Sequence, residues 1–407
     1  MAINPTQREK LAEAKFQFRR ILQITTAINN NESGEALYAI FEEILAQDLH
    51  LPHLLFYTCE NKQWGKVIHI GFPNWTNQIP EKELHRFHEI TSLGVADNEL
   101  FPDVEMVIPV YHKERVLGVV LLKDQEDEVN RVSPLIKNLN YIQSLANIIM
   151  VAIENKRMAK EALNQERIRN EMKLAGQIQK GLLPQNLPYD DRIQAAAFHQ
   201  SHDRVGGDYY DMLEIRPGEY VFCMADISGK GVSAALIMSN FQASFRSLIR
   251  MGFPLPIALQ ELNRVIVENT KGTNFLTLFI GHYNSTTREL SYINCAHPDA
   301  LLIEEGIITP LKSTLPGIGM LDKLPDHDVA TLEVIPGAYL VCSTDGVTEA
   351  ENLEGEMFQS EGLMELLNGF DDAPPEEINK KIVTRIEDWL GDQPHADDLA
   401  ILSVRFC

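Results

Sequence analysis

Val221-Phe222-Cys223-Met224-Ala225-Asp226-Ile227-Ser228-Gly229-Lys230-Gly231 is an apolar run that ends on a carboxylate and a glycine-rich turn. The run reads as a buried strand, and a carboxylate at its end is expensive to bury unless cations gather it. The arrangement recurs. Tyr339-Leu340-Val341-Cys342 leads into Ser343-Thr344-Asp345-Gly346, and Ala396-Asp397-Asp398 stands just ahead of Leu399-Ala400-Ile401-Leu402-Ser403-Val404. A further cluster, Val205-Gly206-Gly207-Asp208-Tyr209-Tyr210-Asp211, lies upstream.

Side chains alternate between the faces of a strand, so Asp208 and Asp211 point opposite ways, and Asp397 and Asp398 conflict likewise. One member of each pair can join a common site, and Asp208 and Asp397 are the expected ones, beside Asp226 and Asp345. Hard oxygen ligands favour Mg²⁺ or Mn²⁺ over zinc. Two such ions, about 3.5–4 Å apart, would clamp a water, lower its pKa and offset charge on a transferring phosphoryl group. That scheme requires no serine, cysteine or histidine nucleophile.

A chain of 407 residues predicts more than one domain. Its 44% hydrophobic and 23% charged content is that of a globular protein. The formal net charge of −22 argues against a nucleic-acid or anionic-membrane partner, because phosphate would be repelled. Five cysteines without regular spacing do not make a disulfide framework. The polar start Met1-Ala2-Ile3-Asn4-Pro5-Thr6 lacks a signal-peptide core, and no apolar run approaches the roughly 18 residues of a membrane span. The expected location is the cytoplasm.

Apolar positions at Leu11, Phe18, Leu22, Ile24 and Ile28 predict a helix over about 7–30. Strands are expected at Leu54–Tyr57, Met106–Val110 and Val116–Leu122, the last after a turn at His112-Lys113-Glu114. A long helix starts near Ser133 and continues through a polar, proline-free stretch to Gly181. Its stripe Ile168, Met172, Ala175, Ile178, Leu182 fits a short coiled-coil seam, as a dimerising linker or as a helix packed on its own domain. Leu182-Leu183-Pro184 and Leu187-Pro188 end it. The organisation is therefore 1–155, a helical linker at 156–188, and a strand-rich 189–407 with helices over 232–251, 256–269 and 376–390.

The four aspartate clusters, with Val347-Thr348-Glu349-Ala350 after Asp345 and the lead-in Ile178-Gln179 and Leu182-Leu183-Pro184, resemble the metal-dependent protein phosphatases (PPM). The likeness is to their bacterial sporulation and stress-response branch, and it runs in order from about 172 to 407. It implies an α-β-β-α sandwich, a binuclear Mn²⁺ or Mg²⁺ centre, and hydrolysis of phosphoserine or phosphothreonine in a protein. By position, Asp226 would bridge both ions and the main-chain carbonyl of Ile227 would bind one of them. Asp208 would bind or water-link to that second ion, while Asp345 and Asp397 would hold the first; Asp226 and Asp208 are thus the catalytic candidates. Gly206, Gly207 and Gly229 would permit close backbone approach. The family commonly has Asn-Ala-Gly-His-Pro where this chain has Asn294-Cys295-Ala296-His297-Pro298, so Ala296 falls on a turn that wants positive φ. His297 as acid or structural group, Lys230 as phosphate attractor or surface residue, and the role of Asn294 stay open.

From about 15 to 155 the pattern resembles a GAF sensor domain, carried by Val116–Leu121 and the helix Ala146–Asn155. The combined expectation is a mixed α/β multidomain protein, a phosphatase under GAF control. It would pair as a homodimer through the GAF module and linker and act on a phosphorylated anti-sigma factor antagonist. The alternative is a scaffold that binds a phosphoprotein without hydrolysis. A two-metal nuclease shares the carboxylates but conflicts with the acidic charge.

Overall fold

Helix-favouring residues carried without a proline after the first position produce one helix, Pro134–Lys180, of 47 residues, about 70 Å long at 1.5 Å per residue. The computed structural model describes residues 5–407 apart from 61–62, 74, 76–78, 80, 95–96, 98–99, 114, 125–133, 203 and 370–372. Glu114 and Ser133, expected in a turn and at a helix start, lie outside the described residues. The chain divides into two units within the long helix, Met1–Glu166 and Arg167–Cys407.

The first unit runs α1 (Pro5–Asn29), α2 (Gly34–Glu43), a π-helical turn at Ile44–Asp48, β1 (His53–Glu60), β2 (Gln63–Ile70), α3 (Glu81–Leu84), β3 (Thr91–Ser92), β4 (Met106–His112), β5 (Arg115–Lys123) and α4, the long helix. Its antiparallel sheet has the order β2-β1-β5-β4-β3. The central strand β5 is apolar on both faces because both are covered. Leu117, Val120 and Leu122 pack with Ile24, Phe41, Leu145 and Ile149 from the helices. Val116, Val119 and Leu121 pack on the other side with Tyr57, Phe72, Trp75 and Phe101.

The second unit contains β6 (Ile193–Gln200), β7 (Tyr209–Arg216), β8 (Glu219–Ile227), α5 (Val232–Arg250), α6 (Leu255–Thr270), β9 (Leu276–Asn284), β10 (Glu289–Cys295), β11 (Ala300–Glu304), β12 (Ile307–Leu311), β13 (Ala330–Glu333), β14 (Tyr339–Ser343), α7 (Asp345–Thr348), α8 (Gln359–Leu367), α9 (Pro375–Leu390) and β15 (Leu399–Phe406). Two five-stranded antiparallel sheets form, β13-β10-β9-β8-β7 and β12-β11-β14-β15-β6. Their facing sides and helices α5 and α6 share one core that includes Phe222, Phe279, Phe241, Leu262, Leu340 and Leu402. Helices α8 and α9 cover the outside of the second sheet with Leu363, Ile378, Ile382 and Ile386 against Val341 and Ile401. The layers are therefore α-β-β-α, in which each sheet buries both faces.

The last turns of α4 belong to this second unit. Gly176 and Gln179 are buried, Met172 and Ala175 half-buried, while Ile168 and Ile178 stay exposed. The predicted stripe is thus split between a packed face and an open one. A Cβ on Gly176 would stand 2.0 Å from the Arg204 carbonyl oxygen, so glycine lets the helix touch that loop. None of the five cysteines is in a disulfide, and four are buried. Among the described residues no helix is long and apolar enough to cross a membrane.

Candidate metal centre

Four strand ends bring the carboxylates together. Asp208 directly precedes β7 and Asp226 lies near the end of its neighbour β8; Asp345 opens α7 after β14 and Asp397 stands ahead of the adjacent β15. Each sheet thus contributes one adjacent pair of strands. Asp208 is 2% exposed, and burial first, then the charges of Asp226 and Asp398, pushes its pKa well above the ordinary carboxylate value. Asp226 is pushed up to about 7, by burial first and then by Asp345 and Asp397, and its carboxyl hydrogen bonds with Asp208. A hydrogen bond between two carboxyls needs a proton on one of them, which the raised pKa of each favours. Asp345 is raised by burial, then by Glu349 and Asp397.

Asp397 is placed differently. Its Oδ2 lies 3.0 Å from Lys230 Nζ, with the two side chains 46% and 55% exposed, and the same ammonium donates to the Ala396 carbonyl at 2.9 Å. Among the described residues, no three His, Cys, Asp or Glu side chains converge closely enough to hold an ion. The carboxylates are neighbours through space, but Asp208 and Asp226 close on each other and Asp397 closes on Lys230. The donor chemistry nevertheless fits a hard divalent cation, since it consists of carboxylates and a main-chain carbonyl. That carbonyl, of Ile227, would be 2.8 Å from a Cβ built on Gly207, and Asp226 Oδ1 would be 3.5 Å from it. Glycine keeps this approach open.

The other motif aspartates have structural work. Asp211 is fully buried on the opposite side of β7 and pairs with Arg246 of α5 at 2.6 Å. Asp398 accepts the main-chain N–H groups of His202 at 2.8 Å and Gly207 at 2.7 Å, clamping the loop before Asp208. Gly206 is required there, because its Cβ would fall 2.2 Å from Asp398 Oδ2. Asp208, Asp397 and Asp398 stand in the turns just before β7 and β15, so strand alternation does not sort them, and the charge of Asp398 still reaches Asp208.

Two residues stand in the quoted motifs but have no role in the sequence reading. Thr344 Oγ1 donates to Asp208 Oδ2 at 2.8 Å and accepts the Ala400 N–H at 3.0 Å, joining the two sheets at the site. Gln179 of α4 grips the main chain of Gly206: its Nε2 donates to the carbonyl at 2.7 Å and its Oε1 accepts the N–H at 3.0 Å. A buried glutamine on a polar helix and a threonine in a turn give no periodic signal by which to find them. Asn294, fully buried, accepts the His297 N–H at 2.9 Å and donates to the Leu311 carbonyl at 3.2 Å, which makes it a turn brace. His297 Nδ1 lies 2.8 Å from Thr277 Oγ1, and burial lowers its pKa to about 3, so it is neutral at pH 7. Ala296 does adopt positive φ, +53°.

Residues 216–407 match the family model of stage II sporulation protein E (SpoIIE). The matched stretch contains Asp226, Asp345 and Asp397 and begins after Asp208. Protein IcfG of Synechocystis is 31% identical over 227 residues, 49% of this chain and 36% of that protein. Phosphoserine phosphatase RsbU of Bacillus subtilis is 26% identical over 243 residues, 59% of this chain and 71% of that protein. The chain thus spans about a third of the length of IcfG. Among solved structures, the SiaA-PP2C domain of Pseudomonas aeruginosa superposes with a TM-score of 0.55 at 22% identity, covering 60% of this chain and all of that domain. The second unit thus shares the fold of the SiaA-PP2C domain, and most of it matches the SpoIIE model.

Proposed function

We propose that the second unit is a metal-dependent protein-serine/threonine phosphatase, with Asp208, Asp226, Asp345, Asp397 and the Ile227 carbonyl as the holders of two Mn²⁺ or Mg²⁺ ions. The observation that carries this reading is the gathering of Asp208, Asp226 and Asp345 at neighbouring strand ends of the two sheets, where burial and mutual charge raise all three pKa values. Bound ions would supply Lewis acidity towards a phosphoryl group and a water of lowered pKa. The chain's own part is positional. Thr344 orients Asp208, the Gly206-Gly207 backbone leaves the Ile227 carbonyl accessible, and Lys230 can release Asp397 cheaply because an ion pair so exposed is worth about 0–1 kcal/mol. RsbU, named a phosphoserine phosphatase, supports the substrate class. A phosphorylated anti-sigma factor antagonist remains the substrate of this proposal.

The first unit, read as a GAF-type sensor, would control the site through α4. Gln179 supports this, since the helix holds the main chain two residues ahead of Asp208. Leu163, Leu174 and Ile178, at 68%, 58% and 63% exposure, support pairing of two chains along the helix. The test is phosphate release from a phosphoserine peptide, with Mn²⁺, with EDTA, and with Asp226→Asn. Release should require both the ion and Asp226. Activity that survives EDTA or the substitution would overturn the assignment.

A further inference from the structure

In a chain with 58 acidic and 36 basic side chains, one groove of the second unit has basic side chains as its charged lining among the described residues. It lies where the last turns of α4 meet the end of β6 and the loop after it, and its volume is about 680 Å³. Lys173 and Lys180 line it from the helix, two turns apart on one face, and Arg204 and His199 line it from the loop and β6. No carboxylate is among the described lining residues. Gln177 and Gln200 add amide donors. His199 contributes a second kind of evidence: its Nε2 is buried with no hydrogen-bond partner among the described residues. Burying a ring nitrogen without a partner is unfavourable, and an oxyanion reaching its N–H tautomer would satisfy it.

We infer that this groove is an anion site for a pyrophosphate-bearing small molecule of nucleotide size. The volume sits within the roughly 300–1,000 Å³ of small-ligand pockets and is generous for a single phosphate. Lys173, Lys180 and Arg204 along a concave wall suit a ligand with several negative charges. The site is separate from the carboxylate centre, whose charge would repel the same ligand in the absence of metal. It involves both α4 and the loop that reaches Gly206, the two partners of the Gln179 contact.

The experiment is calorimetric titration of the full chain with pyrophosphate and with ADP, in EDTA, so that neither turnover nor bound metal contributes. Both probes should bind with Kd below about 0.1 mM, and Lys173→Ala with Lys180→Ala should weaken them by about tenfold or more. Lys312→Ala with Lys323→Ala removes the same charge elsewhere and should leave Kd within about twofold. A Kd above about 1 mM for the unaltered chain, or equal losses in the two double variants, would overturn the site. Because the titration is metal-free, its outcome is independent of whether the neighbouring centre is a phosphatase.

Discussion

Replacing Asp211 by alanine should unfold the second unit early while sparing its metal affinity, although Asp211 shares its motif with Asp208. The carboxylate is 0% exposed and Arg246 is 26% exposed. It accepts Arg246 Nε at 2.6 Å, Arg246 Nη2 at 3.1 Å and the Met212 N–H at 2.9 Å, besides the Tyr209 hydroxyl. The carboxylate raises the pKa of Arg246, so the guanidinium stays charged. Removing one partner of a buried pair costs about 3–5 kcal/mol, chiefly the penalty for the stranded charge. Arg246 keeps some access to water, which places the expected loss near the lower end, about 3 kcal/mol. With a urea dependence of about 2 kcal/mol per molar, the unfolding midpoint should fall by about 1.5 M.

Circular dichroism against urea measures that loss, and the Asp211→Ala, Arg246→Met double variant should recover about half of it, since no charge is then stranded. Mn²⁺ titration of the folded Asp211→Ala protein should give an affinity within about twofold of the unaltered chain. Asp208→Asn should reverse the pattern and lose about tenfold or more in affinity. A midpoint within about 0.3 M of the unaltered protein, or a tenfold loss of Mn²⁺ affinity in Asp211→Ala, would refute the division of labour.

Two further outcomes are expected. Asp226 is raised to about 7 in the folded protein without metal, so its contribution to stability is full below its unfolded value near 4 and is lost as pH rises through about 7. That rise corresponds to at most about 4 kcal/mol; unfolding in EDTA should become easier from pH 5 to 8.5, Asp226→Asn should flatten the trend, and equal stability at both pH values would contradict it. Ala296 holds φ at +53°, a conformation that costs a non-glycine residue roughly 1–2 kcal/mol, so Ala296→Gly should raise the calorimetric midpoint of the second unit by about 2 °C, and a fall would show that the turn is not strained.

Much of this architecture is legible in the residues. Apolar runs bounded by glycine and aspartate predicted β8, β14 and β15, and a proline-free polar stretch predicted α4. The strand β2 was missed because Gln63, Gly65 and Lys66 are exposed on an edge strand that gives no core pattern. What a linear reading does not contain is the partner across the fold. The seam read along α4 mixed two faces because only the tertiary contact with Arg204 and Gly206 decides which side is covered. Lys230 was left open for the same reason, since its pairing with Asp397 spans distant turns.

The placement of Thr344 explains why a carboxylate cluster of this kind is built between two sheets. Asp208 and Asp226 belong to the ends of one sheet, Asp345 and Asp397 to the other, so their mutual repulsion pushes the sandwich open at this edge. Two contacts bridge the opening: the Thr344 hydroxyl, bonded to Asp208 on one side and to the Ala400 main chain on the other, and the Gly207 N–H that Asp398 accepts. A proton shared by Asp208 and Asp226 relieves part of the repulsion within one sheet but none of that between the sheets. Cations shared by carboxylates from both would relieve both terms at once, and the ions that such a centre recruits would then serve the fold as directly as the chemistry.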